Sequence, residues 1–272
     1  MQKKPRKTSV EQLELISKLR LIDDVFFEKL MEDPEACEEL LQVIMDNPKL
    51  RIKKDTVTGQ KSIRIVGKRS IRVDAYTEGQ EDVIFNIEVQ KADNDNHVKR
   101  VRYNASVITV DRSEPGDRFE HVQELYVVYI SKFDVLGNNL TISHCEMTCK
   151  ETGKPVNDGL HEIYVNTVVK DNSKVSRLMN LFLQTEPNDP EFPNISNRAK
   201  KIKHDPEEVS AMCELIETYA EQRAKEAATI AAIKATIKTW RKAGASEERI
   251  SKEIETEYNL SYSEAEAYLL QE

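Results

Sequence analysis

The sequence predicts an α/β protein: a central mixed sheet flanked by helices, with a C-terminal extension made of helices alone. Three observations predict it. Segments that alternate apolar and polar residues fall between residues 61 and 169. Helical stretches precede that block, interrupt it over 96–110, and follow it. Beyond Pro206 the strand pattern does not recur, and apolar residues step 3, 4, 3, 4 along the chain.

The elements follow in order. "VEQLELISKLR" reads as a helix. Residues 24–32 and 34–46 read as two more, with Asp33 capping the second and Pro34 at its first position. "KSIRIV" and "SIRVDAYT" alternate as strands around a "GKR" turn, and "DVIFNIEVQ" alternates as a third. A helix is predicted over about 96–110. "QELYVVYISKFDVL" is an apolar strand suited to burial on both faces. "LTISHCEMTC" and "HEIYVNTVV" are further strands, and Ser173 caps the helix "SKVSRLMNLFLQ".

Residues 1–184 are thus expected to form the main domain. Residues 185–205 hold Pro187, Pro190 and Pro193 and read as a linker or a strapped-down loop. Residues 206–272 form a helical, coiled-coil-like region. Its spaced positions are 209, 212, 216, 219, 223, 226, 230, 233, 237 and 240, with only Arg223 and Glu226 polar. That spacing predicts self-association, a homo-oligomer through this helix, or packing of the helix on the core. Two short helices close the chain, with Ser263 and Glu266 as the expected capping box of the last.

Composition narrows the function. The chain has 272 residues, 32% charged, with no apolar run long enough to span a bilayer. No apolar segment follows the basic start "MQKKPRKTSV", so no secretory signal is expected. Four scattered cysteines suit a reduced, cytoplasmic setting. "HCEMTC" lacks a second ligand pair for zinc. No Gly-rich phosphate loop predicts a nucleotide cofactor. The net charge is −8, but residues 49–72 carry nine Lys or Arg against one acid. That local excess reads either as a phosphate-binding footprint or as a sheet edge guarded by cations.

The chemistry concentrates in "RVDAYTEGQEDVIFNIEVQ", Arg72 to Gln90. Odd positions on both strands are apolar; even positions include Asp74, Asn86, Glu88 and Gln90. A loop of three or five residues around Gly79 keeps the two apolar faces together. With directly paired numbers summing to 160, Asp74 and Glu88 become diagonal neighbours about 7 Å apart. Two carboxylates so placed repel, and a divalent cation relieves the repulsion. Oxygen-only ligation points to Mg²⁺ or Mn²⁺. The same pattern also fits an ordinary solvated face.

"VDAY…IFNIEVQ", an acid on one strand and Glu-x-Gln on the next, resembles the PD-(D/E)XK nuclease superfamily. More narrowly, the chain is similar to its recombination-promoting nuclease and transposase family. The "DVFF" helix (Asp24 to Phe27), the "RVRY" segment with Arg100 and Tyr103, "YISKFDVL" and "DGLHEIYVNT" carry that likeness over roughly residues 20–200. It implies a restriction-endonuclease-like core and a metal-dependent DNA endonuclease of low sequence specificity. Asp74 and Glu88 would hold Mg²⁺, and Gln90 would stand where the superfamily has Lys. Asp24, or Asp23, would add an acid. Arg72, Lys99, Arg100, Arg102 and Tyr103 would meet DNA. This chain departs in lacking both that Lys and the Pro before Asp74. Two rivals are a non-catalytic, self-associating interaction protein on the same scaffold, and a transposase-like joiner of DNA ends.

Overall fold

The computed structural model describes residues 10–63 and 71–270. They divide into two compact units, one reaching Glu214 and the other starting at Leu215. The predicted "GKR" turn lies outside the described residues.

The first unit opens with α1 (Val10–Lys18), α2 (Asp24–Met31) and α3 (Pro34–Ile44). Asp33 caps α3 as its sequence predicts: its side chain accepts the N–H groups of Glu35 and Ala36, with Pro34 at the first helical position. Such a cap contributes about 1 kcal/mol. Phe26, Phe27, Leu30, Met31, Leu40 and Leu41 are fully buried, which the apolar stripes of these helices foreshadow.

Strands β1 (Lys61–Ile63) and β2 (Ile71–Val73) pair as a small antiparallel sheet. The main sheet takes β3 (Ala75–Glu78), β4 (Ile84–Gln90), β5 (Leu125–Ser131), β6 (Ile142–Cys145) and β7 (Leu160–Asn166) in the order β3-β4-β5-β7-β6. β4, β5 and β7 run parallel, and the two edge strands run antiparallel to their neighbours. β5 occupies the centre, so its run of apolar residues is buried on both faces. The stretch "SIRVDAYT", expected as one strand, is two. It leaves the small sheet at Val73 and joins the main sheet at Ala75, with Asp74 at the bend between.

α4 (His97–Asp111) crosses from β4 to β5 and packs against β5. Asn96 caps it, accepting the Lys99 N–H. α5 (Lys174–Leu181), capped by Ser173, and α6 (Pro193–His204) complete the helical layer around α3. α6 lies within the proline-rich stretch 185–205. Phe192, Ile195, Ala199 and Ile202 are fully buried, so that stretch is strapped down. Glu39 of α3 holds its start, accepting the N–H of Ile195 at 2.8 Å.

α7 (Pro206–Lys242) is the long helix the spacing predicts. Its spaced apolar positions are spent at both ends. Val209 and Met212 are buried, as are Ile233 and Ile237. Of the middle positions, Arg223, Glu226 and Ile230 are exposed. The predicted coiled-coil seam is therefore buried within the chain at both its ends and exposed at Ile230 in its middle. In the second unit Ile233 and Ile237 join Ile250, Ile254 and Ala265 from α8 (Glu247–Tyr258) and α9 (Tyr262–Leu269) in one core, with Trp240 packed against it. α9 starts earlier than expected: its capping box is Ser261 with Glu264, not Ser263 with Glu266. Among the described residues no helix is long and apolar enough to cross a membrane.

Candidate active site

The bend at Asp74 builds the site. The β3–β4 ladder ends with Ala75 opposite Ile87. One step further the ladder stops, and the Oδ2 of Asp74 accepts the Val89 N–H at 3.0 Å. The side chain thus satisfies a strand amide that the departing backbone would leave bare.

The register also differs from expectation. Paired numbers sum to 162, as in Tyr76 opposite Asn86, not to 160. The five residues between the strands set this offset: Gln80–Asp82 make a turn of 3₁₀ helix, and Asp82 takes a left-handed φ of 59°. The parity is unchanged, so Asn86, Glu88 and Gln90 share one face as predicted. Continued past its last pair, that count sets Asp74 level with Glu88 and not diagonal to it, at the bend where the paired ladder has already stopped.

Glu88 is 2% exposed. Its Oε1 accepts two amide N–H groups, from Asn86 at 2.9 Å and from Asn104 of α4 at 2.6 Å. Among the described residues Oε2 has no hydrogen-bond partner, and neither has Asp74 Oδ1. Burial pushes the Glu88 carboxyl up, against the two amides and the Arg100 charge, which pull it down. Asp74, partly buried, is pushed up to about 8, first by burial and then by the Glu88 charge. The Val89 N–H opposes that shift, Asp24 adds to it and Arg72 eases it.

The two N-terminal acids separate. Asp24 opens α2, and its charge bears on Asp74. Asp23 faces other partners: Lys91 donates to it at 2.9 Å and the Arg20 N–H at 2.7 Å. Burial pushes Asp23 up, but these partners prevail and hold it below the ordinary range. Gln90 closes β4, and its Nε2 donates to the Ala92 carbonyl at 2.8 Å.

Lys99, Arg100 and Arg102 are exposed on α4, with Tyr103 beside them at 36% exposure. Arg100 acts on Glu88, and Arg102 on Glu162 of β7. Arg72 lies on β2, opposite Ser62. The basic stretch before it is less free than its count suggests. Arg51, Lys53, Lys54 and Lys61 pair with Glu38, Asp82, Glu35 and Asp111. Acids of α3, the β3–β4 turn and α4 meet them, so much of that excess charge is balanced.

Four site neighbours escaped the sequence reading: Asn104, Lys91, His97 and Tyr129. Tyr129 sits beside Glu88 on β5, and its hydroxyl meets His97 Nδ1 at 2.9 Å. His97 Nε2 in turn meets Asp93 at 3.1 Å, anchoring the start of α4 to the sheet. The signal for Asn104 was its helical spacing, one turn after Arg100.

Among the described residues no group of three or more His, Cys, Asp or Glu is arranged to hold a metal, the "HCEMTC" segment included. A pair of carboxylates with one spare oxygen each is a different arrangement. It suits a small hard cation that keeps waters and takes further oxygens from a phosphate.

A five-stranded mixed sheet flanked by helices, with a C-terminal helical region, is the architecture of a restriction-endonuclease-like fold. The family model for PD-(D/E)XK nuclease family transposases matches residues 23–178, more than half of the chain, and the chain belongs to that family. No curated protein and no solved structure matches it. Nucleases of this kind generally use divalent metal ions, and the family implies DNA as substrate.

Proposed function

We propose that the protein is a divalent-metal-dependent DNA endonuclease that hydrolyses phosphodiester bonds with little sequence preference and thereby promotes recombination. One observation carries the reading: the Glu88 charge bears on Asp74, and each of the two carboxylates has one oxygen tied to the protein and one without a partner among the described residues. Asp74 and Glu88 would hold Mg²⁺, or Mn²⁺ in its place. The bound ion supplies charge stabilisation at the scissile phosphate and lowers the pKa of water. Asp24 adds negative charge beside Asp74.

The remaining steps belong to the chain. Lys99, Arg100, Arg102, Tyr103 and Arg72 bind the DNA backbone, which fixes position without reading bases. Gln90 orients the attacking water in line with the leaving oxygen. One Nε2 hydrogen goes to the Ala92 carbonyl, and its Oε1 serves as acceptor for a water O–H. An amide orients a water but does not keep its proton. The reading places this activity in a reducing cytoplasm, in keeping with four free cysteines.

The test is nicking of supercoiled plasmid by wild type, Asp74→Ala and Glu88→Ala, with Mg²⁺, Mn²⁺ or EDTA. Metal-dependent nicking lost in both variants is expected. Wild type inert on supercoiled, single-stranded and branched DNA overturns the proposal and favours the non-catalytic rival. The family's description as transposases favours one second reading, joining of DNA ends. A labelled 3′-hydroxyl end that becomes covalently attached to the plasmid supports it; nicking without attachment excludes it.

A further inference from the structure

Glu88 is held in an unusual way for a carboxylate meant to bind an ion. Both of its hydrogen bonds fall on the same oxygen. Asn86 reaches Oε1 from two residues back along β4, and Asn104 reaches it from α4. Both amides are deeply buried, Asn86 at 0% and Asn104 at 4% exposure. Neither is displaced by solvent, and a rotation of the Glu88 carboxylate would strand two buried donors. Stranding one costs about 1–3 kcal/mol. The carboxylate is therefore locked with Oε1 turned to the protein.

From this geometry we propose that Asn104 is a positioning residue that sets the cation preference of the site. The inference rests on the reading of Asp74 and Glu88 as cation ligands. By committing Oε1, the two amides leave Glu88 with one oxygen to offer. An acid that can offer only one oxygen suits Mg²⁺ and Mn²⁺, which take few protein oxygens and keep their waters. An acid free to offer both suits Ca²⁺, whose larger shell accepts bidentate carboxylates. Asn104 is the adjustable member of the pair. It stands on a different element from Glu88, so its removal leaves Asn86 alone to oppose turning of the carboxylate, whereas Asn86 shares Glu88's own strand. Its neighbours on α4 fix its approach: Asn96 caps the helix, and His97 ties the first turn to Tyr129.

Calorimetric titration of the metal-free protein with Mg²⁺, Mn²⁺ and Ca²⁺, each alone, tests this without any activity assay. Wild type is compared with Asn104→Ala, Asn104→Ser, Asp74→Ala and Glu88→Ala, each checked for folding by thermal melting. Groups that hold a metal ligand typically matter by about 10–100-fold in affinity. Asn104→Ala is expected to weaken Mg²⁺ and Mn²⁺ by that much and Ca²⁺ by clearly less, shifting the ratio toward Ca²⁺. Asn104→Ser, too short to reach Oε1, is expected to behave likewise and serves if the alanine variant unfolds. If both Asn104 variants keep the wild-type Mg²⁺:Ca²⁺ ratio while Asp74→Ala and Glu88→Ala abolish binding, the positioning role is wrong and the cation site stands. If Asp74→Ala and Glu88→Ala bind as tightly as wild type, or wild type binds none of the three ions, the site reading falls and this inference with it.

Discussion

Replacing Asp74 by Asn is expected to stabilise the metal-free protein, and the size of the gain follows from the electrostatics of the pair. Burial and the Glu88 charge push the Asp74 carboxyl up to about 8, against about 3.9 for a free side chain. Each unit is about 1.4 kcal/mol, so keeping Asp74 ionised at pH 8 costs several kcal/mol at most. Asp74 is only partly buried, and solvent screening reduces that ceiling to on the order of 2 kcal/mol. Asn retains an oxygen for the Val89 N–H and brings no charge to Glu88. The pKa is raised on folding, so the contribution of Asp74 is fully present below about pH 4. It is lost as pH rises toward 8. Wild type should therefore melt below Asp74→Asn at pH 8, by about 4–8 °C for 2 kcal/mol in a domain of this size. The two should converge at pH 4. Thermal melts in EDTA across pH 4–8 measure the difference, in which all other titrations common to both proteins cancel. A variant that melts at or below wild type at pH 8, or a difference that does not change with pH, refutes the argument.

Three further outcomes are expected. Cation binding must displace the proton held by the acid pair, so Mn²⁺ affinity should rise about tenfold per pH unit below about 8 and then level off; calorimetry in buffers of differing ionisation enthalpy would expose an absence of proton release. Ile237→Ala removes a fully buried side chain from the C-terminal core and should cost that unit about 2–5 kcal/mol. Hydrogen exchange should then quicken over 247–269 while β5 stays protected, and equal loss in both regions would contradict the division into two units. Glu39→Ala leaves the buried Ile195 N–H without its acceptor, at about 1–3 kcal/mol in urea denaturation; an unchanged midpoint would show that α6 is held by packing alone.

The features legible in the sequence are those governed by local rules. Asp33 and Pro34 start α3, Ser173 starts α5, and alternation puts Asn86, Glu88 and Gln90 on one face, because caps and strand parity depend only on near neighbours. The features that were not legible depend on distant chain. "SIRVDAYT" alternates without a flaw, yet it breaks at Asp74 because β2 and β3 find partners in different sheets. The register moved by one pair because a five-residue turn chose it, and parity cannot distinguish 160 from 162. The basic stretch looked unopposed because its partners, Glu35, Glu38 and Asp111, lie well away from it in sequence. Asn104 looked like one more polar residue on a helix; only the packing of α4 on the sheet reveals that it faces Glu88. The spacing along α7 was real, but spacing does not say whether a stripe is filled by another chain or by its own α8 and α9.

The acid pair carries an electrostatic cost in the absence of an ion. Repulsion between like charges scales inversely with distance, and the Glu88 charge adds to burial in raising the Asp74 carboxyl. The positive charge that a lysine at position 90 would bring is met in another way. Arg100 of α4 eases Glu88, and Arg72 of β2 eases Asp74, each from outside β4. Lys91, the next residue, is held by Asp23. With Gln90 neutral, no ammonium at that position competes with an ion for the spare oxygens of Asp74 and Glu88 once the pair gives up its proton. The missing lysine thus removes a fixed positive charge from beside the pair while the two arginines temper the repulsion at a distance. On the proposed reading this balance lets a close carboxylate pair survive folding and still bind a divalent cation strongly.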